Sequence, residues 1–344
     1  MSKTIYDIAK ASGVSIATVS RVFNNSGRVT DKTRKKVLKV AEQLGYHPQA
    51  FAQGLASKKK NVIMVVVPVI SNYFFMEVLA GIQDKLKNLD YELNIVNIKP
   101  EEDLFSQIEY LLKRRWAEGY IFISIHLNDS KWKSLKKFKS PIVIIDDYYF
   151  EFDSVSVDNK EGAYKATKYL IDRGFRRIAM ISALSASKPV IQRFEGYKRA
   201  LEEAGIPFDE DYVATGDTSY RDGFTERAGY DAMMKILELK PLPDACFSSS
   251  DIKAVGALKA LKEKNISLPI ISYDNLEISQ FLGLSTIRQP MYDMGFLATQ
   301  NLLDRINKPD KPISHTIYNP EIILRESTEK FHEQNDVPVS LNAK

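Results

Sequence analysis

The residues with the clearest chemistry lie near the N-terminus, in the segment Ile16 to Asn24. Val19, Val22 and Phe23 recur at helical spacing and must face inward. Ile16, Ala17, Ser20 and Arg21 are then left on the outer face. An exposed Ile-Ala pair suits contact with a thymine methyl, and an arginine fork matches the O6 and N7 acceptors of guanine. Thr18, Ser20, Asn24 and Asn25 carry short polar groups suited to phosphate oxygens. A small helical bundle with a solvated Arg21 would show the same pattern, so spacing alone leaves both readings open.

Two neighbouring segments must hold this helix in place. Thr4 precedes Ile5, Ile8 and Ala9, and Asp7 follows three residues after it, a capping-box start with Asp in place of Glu. Ser12-Gly13 breaks that helix, and Ser15 caps the next. A third helix starts at Thr30 or Asp31, with Val37, Leu38, Ala41 and Leu44 expected inward and Gly45 at its end. Two helices joined by a short Gly-containing turn read as a helix-turn-helix. In that motif the second helix enters the major groove with its N-terminal residues toward the base edges. Charge agrees with this. Residues 1–60 hold twelve Lys/Arg and three Asp/Glu, a balance of +9, while the remainder holds 36 basic and 41 acidic residues, a balance of −5. A basic head on an acidic body fits a nucleic-acid-binding module joined to something else, though a solvated basic face gives the same count.

Composition excludes several classes. At 344 residues and 44% hydrophobic content, the chain is long and apolar enough for two or three globular domains. Cys246 is the single cysteine, so no internal disulfide or cysteine-based structural zinc site is expected, and a reducing, cytoplasmic setting fits. The start MSKTIYDIAKAS has no apolar secretory core. The longest apolar run, Val62 to Ile70, falls short of the ~20 residues that a membrane span needs. His47, His126, His315 and His332 are scattered without metal-ligand spacing. G-x-G-x-x-G after a strand, the phosphate-binding P-loop and the G-x-S-x-G elbow are all missing. An enzyme, a metal and a cofactor are therefore not expected.

After residue 60 short apolar runs alternate with amphipathic stretches. Strands are expected at Val62–Val69, Glu92–Ile98, Tyr120–Ile125, Ile142–Asp146, Arg177–Ser182, Tyr212–Thr215, Ala245–Ser248 and Ile270–Tyr273. Helical patterns lie between them, among them Ala163 to Arg173, Ile191 to Ala204 and Asp251 to Lys264. Such alternation implies parallel, doubly wound sheets. The order gives two units, about 61–158 and 159–288, with 290–320 crossing back to the first. Ligands of such sheets sit beyond the carboxyl ends of the strands, so two facing units would make a cleft. The expected organisation is an all-α headpiece at 1–46, a linker at 47–60, a two-lobed α/β body at 61–326 and a polar tail at 327–344.

The run TIYDIAKASGVSIATVSRVFNNSGRVTDKTRKKVLKVAEQLGYHP resembles the headpiece of the lactose-repressor (LacI/GalR) family of bacterial transcription regulators. VPVISNYFF, VSVDNKEGAYKATKYLIDRG, RRIAMIS, RFEGYKRALEEAGI, ISYDN and TIRQPMYDMG resemble motifs of its effector domain, which is similar to periplasmic sugar-binding proteins. The resemblance spans about residues 3–326. It implies DNA contacts by Thr4, Ser15, Ile16, Ala17, Thr18, Ser20, Arg21, Asn24, Asn25 and His47. It also makes 47–60 a hinge helix, with Leu55 wedged into the minor groove beside Ala52 and bending the duplex. Gln49 and Gln53 stand where Asn and Arg are usual in the family. Gly54 costs about 1 kcal/mol of helix propensity relative to Ala.

For the cleft, the resemblance places Arg193 of RFEGY and Asp274 of SYDN where the family binds its effector. The segment before Asp274 is a few residues shorter than the family pattern. Asp146 is a third candidate, with Asp147 adjacent to it. Phe74 and Phe75 are placed to stack on a ring, and Asn72, Ser124, Ser250 and Gln289 follow by motif position. A buried sugar site needs this mixture of planar donor, carboxylates and aromatic floor. The implied protein is a homodimeric repressor of carbohydrate-utilisation genes. It would bind double-stranded, pseudo-palindromic operator DNA and respond to a small sugar or sugar phosphate. A purine or nucleoside effector and control by a phosphocarrier protein are the alternatives. The tail has no leucine heptads, which favours a dimer over a tetramer.

Overall fold

The computed structural model describes residues 3–23, 29–46, 60–69, 73–183, 187–217 and 223–331. Asn24, Asn25, His47, Ala52, Leu55, Asn72 and the hinge residues Gln49, Gln53 and Gly54 lie outside the described residues.

The head contains α1 (Ile5–Ser12), α2 (Ile16–Phe23) and α3 (Asp31–Gln43). Thr4 N donates to Asp7 Oδ2 at 2.8 Å, which supplies the reciprocal half of the capping box. These bonds from Thr4 hold the Asp7 carboxyl below its usual range. Gly13 ends α1 at φ 66°, a left-handed conformation that glycine adopts without steric cost. Ile8, Val19, Val22, Val37 and Ala41 are buried together as one small core. Leu38, expected inward, is instead 46% exposed. The inward stripe of α3 runs through Val37, Ala41 and Leu44, and Leu38 sits about 100° around the helix from Val37.

The body forms two lobes. Lobe 1 begins with β1 (Val62–Val67), α4 (Tyr73–Leu86), β2 (Glu92–Asn97), α5 (Leu104–Arg114), β3 (Gly119–Ile123), α6 (Asp129–Leu135), β4 (Ile142–Ile145) and β5 (Asp153–Val157). Lobe 2 contains α7 (Asn159–Asp172), β6 (Ile178–Ile181), α8 (Lys188–Glu203), β7 (Val213–Ala214), α9 (Glu226–Ile236), β8 (Ala245–Ser248), α10 (Asp251–Lys264), β9 (Ile270–Asp274), α11 (Glu277–Phe281) and β10 (Ser285–Arg288). The chain then returns with α12 (Met291–Asn307) and β11 (His315–Tyr318) to lobe 1, and with β12 (Glu321–Ile323) and α13 (Glu326–Glu329) to lobe 2.

The strand orders are β11-β5-β4-β3-β1-β2 and β12-β10-β9-β8-β6-β7. All pairings are parallel except β12 against β10. Both faces of each sheet are covered. In β1, Ile63, Val65 and Val67 join the core under α4 and α12, while Met64 and Val66 join the core under α5 and α6. Four strands were not expected: β5, β10, β11 and β12. The sequence of β5, DSVSV, is polar because Asp153 is buried against Arg305, with Nε–Oδ2 at 2.9 Å. Helix pairs pack backbone to backbone where glycine permits it. A Cβ on Gly196 of α8 would lie 2.1 Å from Lys160 O of α7. Among the described residues, no helix is long and apolar enough to cross a membrane.

Candidate functional site

In the head, α2 presents Ser15, Ile16, Ala17 and Arg21 to solvent, with Thr18 and Ser20 half-buried. Ile16 is 41% exposed although Val19 and Val22 on the same helix are buried. The apolar outward residue is thus a surface feature and not core. Ser15 Oγ accepts from Thr18 N at 3.2 Å and hydrogen-bonds the Thr18 hydroxyl at 2.9 Å. Arg34 Nη1 donates to Val22 O at 3.3 Å and ties α3 to the end of α2. The outer face of α2 is therefore held at a fixed angle by its own cap and by the third helix.

The second site lies between the lobes, beyond the carboxyl ends of the strands. Lobe 2 supplies its rigid part. Arg193 of α8 is 5% exposed. Its Nε donates to Asn159 Oδ1 at 2.8 Å and its Nη1 to Ser249 O at 2.7 Å. The guanidinium lies 3.7 Å over the Tyr273 ring and 3.5 Å from Asp274 Oδ1. Gly162 makes room for that ring, since a Cβ there would meet the Tyr273 hydroxyl at 2.4 Å. Gln289 Nε2 donates to Asp274 Oδ1 at 2.6 Å. Burial pushes the Asp274 carboxyl up to about 7, against the pull of Arg193. Ser250 caps α10, its Oγ accepting from Lys253 N at 3.4 Å.

Lobe 1 faces this group with Ser124 and Asp146, which follow β3 and β4. Ser124 Oγ donates to Asp146 Oδ2 at 2.7 Å. Burial raises the Asp146 carboxyl, opposed by His126, Ser124 and Arg193. The influence of Arg193 puts Asp146 within electrostatic reach across the cleft. The next residue differs. Burial also acts against ionisation of Asp147, but hydrogen bonds from His126 and Lys188 outweigh it and hold that carboxyl below its usual range. Ser124, Asp146 and Asp274 all have positive φ, at 51°, 65° and 119°. Non-glycine residues held in this region cost about 1–3 kcal/mol each, and such strain gathers at ligand sites.

A narrow crevice open to solvent is lined by Tyr73 of α4 and by Phe224, Glu226, Ser250, Ile252, Asp274 and Leu276 of lobe 2. The structure therefore joins Arg193, Asp274 and Gln289 directly, pairs Ser124 with Asp146, and sets Ser250 at the crevice wall. Phe75 is 5% exposed and belongs to the lobe-1 core with Val67 and Met291, and the half-buried Phe74 packs against that core without lining the crevice, so the structure brings neither ring to the crevice wall. Ile252 and Leu276 join that same core from lobe 2, closing this side of the cleft. Asn159, Tyr273, Tyr73 and Phe224 were missed in the sequence. Tyr273 carried one signal, its place beside Asp274 in SYDN; the others are brought in by tertiary contacts. Among the described residues there is no cluster able to hold a metal ion.

The model of bacterial regulatory proteins, lacI family, matches residues 4–49. That of periplasmic binding proteins and sugar binding domain of LacI family matches residues 60–309. Catabolite control protein A of Priestia megaterium is 34% identical over 95% of this chain and 100% of its own length. A solved transcriptional regulator, CelR, in complex with cellobiose superposes with TM-score 0.68 at 26% identity, covering 94% of this chain and 99% of that one. The lac repressor dimer bound to operator and an anti-inducer superposes with TM-score 0.80 at 23% identity, covering 95% and 99%, which shows the common fold. The chain therefore belongs to the lacI family, as a DNA-binding transcriptional regulator with a periplasmic-binding-protein-like effector domain.

Proposed function

We propose that the protein is a homodimeric repressor of carbohydrate-utilisation genes, whose operator affinity is set by a sugar or sugar phosphate held between the lobes. The observation that carries this reading is the buried Arg193–Asp274 pair on Tyr273, facing Asp146 across the cleft. A polyol offers hydroxyl donors in close pairs. Two desolvated carboxylates and the Gln289 side chain supply acceptors, and the guanidinium supplies a planar donor. Cellobiose in the similar solved regulator supports the same class.

On the DNA side, Ile16 and Ala17 contact a thymine methyl and Arg21 reads a guanine. Thr4, Ser15, Thr18 and Ser20 position the helix on phosphates. Two such heads read the half-sites of a pseudo-palindrome. Tyr73 and Phe224 give a second reading some weight, because aromatic walls also suit a purine or nucleoside base. Calorimetric titration of the full-length protein with monosaccharides, disaccharides, their phosphates, purines and nucleosides tests the class. Binding of a sugar that is lost in Arg193→Met supports the proposal. Binding of nucleosides alone, or of none of these, overturns it.

A further inference from the structure

Asp146 and Asp147 are neighbours with different surroundings, and Asp147 is the one tied across the cleft. Its side chain is fully buried. Oδ1 accepts from Lys188 Nζ at 2.5 Å and from the Tyr148 backbone N–H at 2.6 Å, and Oδ2 lies 3.1 Å from His126 Nδ1. Asp147, Tyr148 and His126 belong to lobe 1, whereas Lys188 is the first residue of α8 in lobe 2. Among the described residues this is the single ion pair that joins the two lobes. It lies on the same helix as Arg193, five residues before it, so the tie and the effector arginine move as one rigid element.

We propose that Lys188 and Asp147 form a clasp that holds the crevice closed before any ligand enters, and so set the protein's affinity for its effector; this rests on reading the crevice as the effector site. Asp147 is pre-organised by lobe 1, with Oδ2 held by His126 and Oδ1 by the Tyr148 backbone N–H, so lobe closure has only to order Lys188. The Lys188 side chain remains 46% exposed, so its charge is available to Asp147 when the lobes close and to water when they open. A ligand that needs the closed form binds with an affinity reduced by the fraction closed, so a stronger clasp tightens binding without touching the ligand. Lys188 and Asp147 are in this sense positioning residues.

The test uses full-length protein without effector. Spin labels at Lys133→Cys in lobe 1 and Lys259→Cys in lobe 2 report the distance between lobes, with labelled chains diluted by unlabelled ones. Both positions are exposed, and the native Cys246 is buried away from the label. Lys188→Met and Asp147→Asn are each expected to raise the open-to-closed ratio by up to about fivefold, the upper end of the range for an exposed pair. Lys188→Met should add nothing in the Asp147→Asn background, because each acts through the other. Added salt should open the wild-type protein but not Lys188→Met. Distances unchanged by Lys188→Met, or additive effects of the two substitutions, would overturn the clasp. The salt titration of wild-type protein decides the matter even if Asp147→Asn fails to fold. None of these readouts needs a sugar, so failure of the effector assignment would show separately, as a working clasp around a crevice that binds none.

Discussion

Asp274→Asn should make the protein less sensitive to alkaline pH, and the size of the effect follows from the site. Asp274 is 9% exposed, and burial holds its carboxyl up at about 7 against an ordinary 3.8. A carboxyl raised on folding contributes stability that is fully present below its unfolded value of 3.8 and is lost as pH rises through about 7. Between pH 5 and pH 8 the two values correspond to a loss of about 2–3 kcal/mol. Asparagine keeps the shape and the contact with Gln289 but cannot ionise. The pull of Arg193 on the ionised form is already contained in the value of about 7, and in the variant Arg193 retains Asn159, Ser249 and the Tyr273 ring. The assay is urea unfolding of wild type and Asp274→Asn at pH 5 and pH 8. Every other ionisable group is common to both proteins and drops out of the difference. The stability gap should move by about 2–3 kcal/mol in favour of the variant on going to pH 8. Parallel losses in the two proteins would refute the reasoning, because Asp274 would then ionise in the fold at its ordinary value.

Three other outcomes follow from the same structure. Arg21→Ala should cost roughly 1–3 kcal/mol of discrimination at one base pair in an electrophoretic titration over operator variants; a uniform loss on all sequences would make Arg21 a phosphate contact. Gly196→Ala should lower stability by about 1–3 kcal/mol, because the added Cβ would sit 2.1 Å from Lys160 O and force α7 and α8 apart; thermal unfolding reads this directly. Arg305→Met should cost about 3–5 kcal/mol in urea unfolding, because it strands the fully buried Asp153 carboxylate.

Legibility in the sequence tracked how local each signal was. The bounds of α10 came straight from its pattern, because Ser250 caps it and Asn265 ends it in the left-handed conformation. Most of the eight strands expected are buried apolar runs, β2 being a largely exposed edge strand. Those missed had other reasons to be strands. β5 is polar because Arg305, about 150 residues away, compensates Asp153. β11 and β12 are short edge strands with part of each exposed. Leu38 was misplaced because an apolar residue beside Val37 was assigned to the same stripe without respecting the 100° step. The fold class followed from strand–helix alternation. The cleft residues did not, since nothing local in RFEGY or SYDN specifies a site without the resemblance. Asn159, Tyr273 and Lys188 could not be found from spacing, because their partners Arg193 and Asp147 lie 34, 80 and 41 positions away.

The proposed regulator binds an operator through the outer face of α2 and changes that binding when a ligand sits between the lobes. Fluorescence anisotropy of a labelled pseudo-palindromic operator, titrated with protein with and without a bound sugar, tests it most directly. The sugar should change operator affinity by about 5- to 150-fold, and Arg193→Met should bind the operator as wild type does but no longer respond. An operator affinity indifferent to every sugar and sugar phosphate, or a response undiminished in Arg193→Met, would contradict it.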